Sequence, residues 1–238
     1  MLIQMQASGD GQQAFSFRPR GGARRGAGRK ARAERVGFMP HVSRQAHAWE
    51  HPVHVTARVV TGAPDLRSEL VFAALKRVFA RASEKGFGLL HFSVQRNHLH
   101  LIVEADDAKA LARGLQRLLS RAAMIINALA RRSGRLWRDR HHRRALTCPR
   151  QVRNAFVYVL FNDRKHLQEN GHFGRNAYEG MDPFTSWVWF EGWTPTAAPS
   201  TAAIARAGPP VVDAPHTWLA KTGWRLHGLL TGYEVPRW

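Results

Sequence analysis

Hydrophobic and polar residues recur along the middle of the chain with two different periods, and each change of period marks a new element. Strict alternation, as at Val53 and Val55, is typical of a half-buried strand, whereas apolar residues three and four apart predict a helix. In the second strand we expect Leu90, Phe92 and Val94 to face the core. The predicted elements are strand 51–60, helix 66–85, strand 87–95, strand 98–104, helix 106–132, strand 135–146 and helix 149–168.

This order predicts an α+β fold whose first six elements form a ferredoxin-like β-α-β-β-α-β unit. Such a unit is a four-stranded antiparallel sheet with two helices on one face. The seventh element is an additional C-terminal helix that carries Tyr158. We expect the other face of the sheet to be free, and the alternation of side chains places on it His54, His91, His98, His100 and Glu104.

The flanking segments differ in composition from the middle of the chain and predict the domain boundaries. Residues 1–48 are rich in Gly and Arg and predict a flexible basic arm, because such a segment cannot bury a core. The folded domain is expected over 49–172. Residues 173–238 form a Trp-rich tail with a flexible linker over 194–210. We expect the tryptophans to pack the tail onto the domain, the alternative being stacking on nucleic-acid bases.

Two histidines one residue apart in the third strand are the first candidates for chemistry. Because strand side chains alternate between faces, His98 and His100 point the same way, about 7 Å apart along the strand, while Leu99 and Leu101 point into the core. Imidazole is a common ligand of catalytic divalent cations. The pair therefore indicates a metal site, although two histidines on a solvated sheet face are the simpler alternative.

The last predicted helix carries polar residues four apart, which form one stripe along its surface: Asn154, Tyr158, Asn162 and His166. A tyrosine hydroxyl is a weak nucleophile until a neighbouring cation or base activates it. An ion held by the two histidines would polarise a phosphate for attack, and Asn162 could supply a third ligand through its amide oxygen. The simpler alternative is an amphipathic helix whose tyrosine hydroxyl lies in water.

The charge of the chain points to a polyanionic partner. It has 36 Lys and Arg against 17 Asp and Glu, a formal net charge of +19. A charge of this size opposes compaction, and nucleic acid is the usual partner that neutralises it. We expect phosphate contacts from basic residues of the arm and of the fourth strand, namely Arg24, Arg25, Arg29, Lys30, Arg135, Arg138, Arg140, Arg143 and Arg144.

The sequence also bears on the cellular compartment. The single cysteine, Cys148, excludes an internal disulfide framework and fits a reducing compartment. The N-terminus has no signal-peptide pattern, and no apolar run is long enough to span a bilayer. We therefore expect a cytoplasmic protein with no membrane partner.

Three segments together resemble the single-tyrosine HUH transposases, which include the IS200/IS605-type enzymes and, more closely, the REP-associated tyrosine transposases. They are 97–104 (NHLHLIVE), 135–146 (RLWRDRHHRRAL) and 158–166 (YVLFNDRKH), and the resemblance covers about residues 51–168. The family often has Asn-Pro after the tyrosine, where this chain has Asn162-Asp163. This departure leaves the inferred ligands untouched but leaves open which hairpin is recognised.

The resemblance implies a metal-dependent endonuclease and strand transferase that acts on single-stranded or hairpin DNA, in transposition or repeat-element processing. Tyr158 would form a 5′-phosphotyrosine, and His98, His100 and Asn162 would bind Mg²⁺ or Mn²⁺. Members of the family act as monomers or homodimers. Two alternatives stay open: a catalytically inactive, domesticated DNA- or RNA-binding module on the same fold, and a nuclease of the replication-initiator or relaxase type.

Overall fold

The structure, a computed structural model, describes residues 46–164 and 180–236. Within these ranges the first seven elements follow the predicted order. They are β1 (Val53–Arg58), α1 (Glu69–Phe79), β2 (Phe87–Val94), β3 (His98–Ala105), α2 (Ala108–Leu129), β4 (His142–Ala145) and α3 (Pro149–Leu160). The second range adds two short helices, α4 (Thr201–Ala207) and α5 (Trp218–Lys221), and 3₁₀ turns at Trp187–Trp189 and Gly223–His227.

The four strands form one antiparallel sheet in the order β2-β3-β1-β4. β1 lies between β3 and the edge strand β4. In the register, Thr56 lies opposite His100 and His54 opposite Ile102, while on the other side His54 lies opposite Arg144. This order and orientation confirm the α+β fold class and the ferredoxin-like arrangement.

Helices α1 and α2 cover one face of the sheet and enclose a first hydrophobic core. The odd-numbered side chains of β1 and β3 point into it, and Val55 and Leu101 are fully buried there. α2 approaches β2 at Gly114, where a Cβ atom would lie 2.2 Å from the Phe87 ring. Only glycine permits this close contact between helix and strand.

The opposite face is covered rather than free, which corrects the expectation from the sequence. α3 and residues 180–236 pack over it and build a second core around Ile102. Trp193 and Trp224 are buried in this core, so these tail tryptophans pack onto the domain, whereas Trp218 is 59% exposed. The side chains that were expected at an open surface, among them His98, His100 and Glu104, are therefore buried.

One predicted side-chain orientation is wrong. The register shifts between Leu89 and His91, so that β2 contains one extra residue relative to β3. A bulge of this kind reverses the alternation locally. Leu90 consequently joins the second core, while Phe92 and Val94 keep their predicted places in the first core.

Some element bounds also differ from the prediction. The fourth strand spans only His142–Ala145, with Trp137 joined to Val59 by an isolated bridge. α3 ends at Leu160, and residues 162–164 are helical again. The predicted helix end at 168 lies outside the described residues, and the segment expected to be a linker contains α4. No helix of the described residues is long and apolar enough to cross a membrane.

Candidate functional site

The candidate site lies on the covered face of the sheet, where β1, β3 and α3 meet. His98 and His100 are 8% and 4% exposed, and their Nε2 atoms are 3.0 Å apart. The two rings are nearly perpendicular, with centroids separated by 4.7 Å. Nδ1 of His98 donates to Oδ1 of Asn97 at 2.7 Å. The two imidazoles thus converge through their Nε2 atoms.

Two side chains of β1 contact the other ring nitrogen of His100. Thr56 Oγ1 lies 3.1 Å and His54 Nε2 3.2 Å from His100 Nδ1. Both contacts follow from the sheet register, because Thr56 is directly opposite His100 and His54 is the next residue on the same face. Burial, together with the neighbouring His142 and Arg144, lowers the pKa of His54 to about 4. His54 is therefore neutral at neutral pH.

Helix α3 places Tyr158 against these histidines. The helix begins after Cys148, with Pro149 in its first turn, where the missing N–H is tolerated. The ring of Tyr158 contacts the ring of His100 edge-on, with centroids 4.9 Å apart, and that of His54 at 5.6 Å. The predicted nucleophile and the histidine pair therefore come together within one chain.

Asn162 lies in the helical turn that follows α3 and is 1% exposed. Neither its Oδ1 nor its Nδ2 has a hydrogen-bond partner among the described residues. A buried polar group without a partner destabilises a fold by about 1–3 kcal/mol, and such groups are rare in native proteins. The side chain predicted as a third metal ligand is thus a buried amide whose oxygen is not used by the described part of the protein.

The spacing of the two histidine nitrogens is compatible with a divalent cation. The 3.0 Å between the two Nε2 atoms equals the spacing of neighbouring ligands around an octahedral ion with bonds of about 2.1 Å. An amide oxygen such as that of Asn162 is a neutral donor of the type that Mg²⁺ and Mn²⁺ accept. In the ranges that the structure describes, no three His, Cys, Asp or Glu side chains are grouped as metal ligands. A third protein ligand drawn from those ranges would therefore be an amide, hydroxyl or backbone oxygen.

The basic residues of the fourth strand are divided between the two faces of the sheet. Arg144 lies opposite His54, on the face of the candidate site, and His142 lies on that face beside it. Arg143 points to the other face because neighbouring strand residues alternate. Arg138 and Arg140 are partly buried, Arg135 is exposed, and Arg24, Arg25, Arg29 and Lys30 lie outside the described residues.

Two other polar residues of the same face are engaged in holding the tail. Glu104, fully buried, accepts hydrogen bonds from the Thr217 hydroxyl at 2.5 Å and from the backbone N–H groups of His216 and Thr217. His91 shares a hydrogen bond with the Ser186 hydroxyl, and burial lowers its pKa to about 3. These contacts attach residues 180–236 to the sheet.

The sequence prediction gave neither Thr56 nor His54 a role. A threonine in a strand is common and carries no signal of its own. The available signal was the ferredoxin-like strand order itself, which places β1 beside β3. To predict that Thr56 contacts His100, the strand order must be combined with the register between β1 and β3. That register is fixed by contacts between segments far apart in sequence.

No known protein family matches the sequence, and no curated protein matches it. Among solved structures, one similar chain is a REP-associated tyrosine transposase bound to a REP hairpin, with 12% identity over 75% of this chain and 93% of that one, at a TM-score of 0.47. Another is a candidate transposase from Deinococcus radiodurans R1, with 14% identity over 56% of this chain and 95% of that one, at a TM-score of 0.35. Sequence identities and TM-scores this low do not show a shared activity.

Proposed function

We propose that this protein is a metal-dependent endonuclease and strand transferase that cuts single-stranded or hairpin DNA with Tyr158 as the nucleophile. The observation that carries the proposal is the edge-on contact between the rings of Tyr158 and His100, whose Nε2 lies 3.0 Å from that of His98. A phenol needs an activating neighbour before it can attack a phosphate. The biological setting we propose is DNA transposition or the processing of repeat elements.

In the proposed cleavage step, Oη of Tyr158 forms a bond to the phosphorus of a phosphodiester, and the bond from phosphorus to the 3′ oxygen breaks. The phenol releases its proton to solvent, and the departing 3′ oxygen takes up a proton, so the net charge is unchanged. The products are a 5′-phosphotyrosine and a free 3′-hydroxyl. Attack of a 3′-hydroxyl on the phosphotyrosine then joins strands and regenerates the tyrosine.

The residues we assign to hold Mg²⁺ or Mn²⁺ are His98, His100 and Asn162, and the ion would polarise the phosphate as a Lewis acid. The position of Tyr158 is set by the packing of α3, since Phe156 and Val159 on either side of it are buried in the second core. A nucleophile held on a packed helix is oriented more tightly than one on a loop.

Charge supports DNA as the partner. The net charge of +19 favours a polyanion, and Arg144 lies on the face of the site beside His54. We propose that Arg144 contacts a DNA phosphate near the scissile bond and that the other predicted basic residues contact the backbone farther away. Because one chain supplies the tyrosine and both histidines, a monomer suffices for the proposed site.

The test is covalent capture. The full-length protein is incubated with labelled single-stranded hairpin oligonucleotides from its own genomic flanks, with Mn²⁺ or with EDTA, and resolved on a denaturing gel. We expect a metal-dependent protein–DNA adduct that disappears in Tyr158→Phe. The matched control is Tyr233→Phe, since Tyr233 is 86% exposed.

The possible outcomes separate the proposal from its main competitor. An adduct that persists in Tyr158→Phe would exclude this residue as the nucleophile. Tight binding of every oligonucleotide, without an adduct under any metal, would favour the inactive DNA- or RNA-binding module. Salt dependence of binding cannot separate the two, because both predict a steep slope.

A further inference from the structure

We propose that Thr56 and His54 are positioning residues, which hold Nδ1 of His100 and so present its Nε2 to the metal. The inference rests on the proposed function, because it concerns the same metal site. It goes beyond that function by assigning a role to two β1 residues that lie outside the proposed ligand set. Their contacts with His100 are at 3.1 Å and 3.2 Å.

With both rings neutral, the hydrogen bonds around the histidine pair fit one arrangement of protons. Because Oδ1 of Asn97 is an acceptor, His98 carries its proton on Nδ1, and its Nε2 is an acceptor as well. The 3.0 Å contact between the two Nε2 atoms then requires His100 to donate from Nε2. Nδ1 of His100 is consequently an acceptor, and its single lone pair is shared between the donors Thr56 and His54.

Metal binding requires the opposite arrangement at His100. An imidazole that binds a metal through Nε2 has no proton on that nitrogen. The neutral ring keeps one proton, which must then lie on Nδ1, so this nitrogen changes from acceptor to donor. In a buried site, a partner that could only donate would then face an N–H group and oppose binding.

Thr56 is suited to both arrangements because a hydroxyl can donate or accept after rotating about its C–O bond. His54 can follow the change by moving its own proton from Nε2 to Nδ1. Groups that hydrogen-bond to the other ring nitrogen set the tautomer and ring orientation of a metal-binding histidine, and their removal typically weakens metal affinity 10- to 100-fold. The register fixes Thr56 directly opposite His100, so the contact does not depend on a loop.

The experiment compares Thr56→Val with Thr56→Ser in the full-length protein without DNA. Valine keeps the shape of threonine but removes the hydroxyl, whereas serine keeps the hydroxyl. Mn²⁺ affinity is measured by titration calorimetry and by electron paramagnetic resonance of free Mn²⁺. We expect about tenfold weaker binding in Thr56→Val and near wild-type binding in Thr56→Ser. His54→Phe, which keeps a ring, is the second variant and is expected to weaken binding in the same direction.

The second readout is the ¹⁵N spectrum of the histidine rings in EDTA, which reports tautomers without any metal. We expect wild-type His100 to carry its proton on Nε2, with a hydrogen-bonded Nδ1 resonance that moves toward the unbonded position in Thr56→Val. An unchanged Nδ1 resonance together with wild-type Mn²⁺ affinity in Thr56→Val would overturn the positioning role. If the wild-type protein binds no Mn²⁺, the proposed metal site fails, and the ¹⁵N comparison alone decides whether Thr56 and His54 set the tautomer of His100.

Discussion

Replacing Asn162 with leucine, a side chain of similar volume, is expected to stabilise the metal-free protein. The amide is 1% exposed and has no hydrogen-bond partner among the described residues. Removing the buried, unpaired polar atoms should raise the free energy of unfolding by about 1–3 kcal/mol. Imperfect packing of the new side chain typically lowers it by less than about 1.5 kcal/mol. We expect a net gain of about 1 kcal/mol, which corresponds to roughly 2–4 °C in Tm for a chain of this size.

The assay is urea unfolding, followed by tryptophan fluorescence, once in EDTA and once with excess Mg²⁺. A cation that binds only the folded state adds about 2.7 kcal/mol at 100 times its Kd. Asn162→Leu should therefore be more stable than wild type in EDTA but should gain less from Mg²⁺. The matched control is Asn154→Leu, two turns earlier on the same polar stripe and only partly buried, which should change stability by about 0.5 kcal/mol or less.

A loss of stability in EDTA for Asn162→Leu, with the fold intact, would refute this reasoning. It would mean that the Asn162 amide makes stabilising hydrogen bonds in the metal-free protein, so that its oxygen is already occupied when a metal ion binds. An undiminished gain from Mg²⁺ in the variant would separately exclude Asn162 as a metal ligand.

Three further predictions concern other parts of the structure. Because the pKa values of His54 and His91 are lowered to about 4 and about 3, the unfolded chain binds more protons below pH 6.5. The free energy of unfolding should therefore fall by about 3–4 kcal/mol from pH 7 to pH 5, and a flat profile in urea titrations would contradict this. Glu104→Gln should lower that free energy by about 2–3 kcal/mol and expose the segment around Thr217 to proteolysis, since an amide nitrogen would face N–H donors. Arg144→Ala, on the face of the site, should reduce the slope of log K against log salt for DNA binding by about 1.

The elements that carry the site could be predicted because each has a local signal. Leucines alternate with His98 and His100 and mark both the strand and its two faces. Polar residues four apart mark the side of the helix that carries Tyr158, whereas Asn162 lies in the turn that follows α3. The structure adds that these elements meet, with the rings of Tyr158 and His100 in contact.

The remaining features depend on contacts between distant segments, which periodicity does not contain. The bulge that turns Leu90 to the second core arises from the way in which β2 and β3 pair, with one extra residue in β2. The burial of Glu104 depends on Thr217, more than a hundred residues later, which donates to its carboxylate. Tertiary packing of this kind decides whether an alternating strand has one buried face or two.

The packing of Tyr158 also constrains how the proposed reaction could begin. A separation of 4.9 Å between the ring centroids of Tyr158 and His100 is direct van der Waals contact, which leaves no room for a phosphate between them. The backbone of α3 is anchored on both sides of this residue, because Val157 and Val159 are buried. The Tyr158 side chain itself is only partly buried. On the proposed function, rotation of that side chain away from His100 therefore requires less disruption than displacement of the helix.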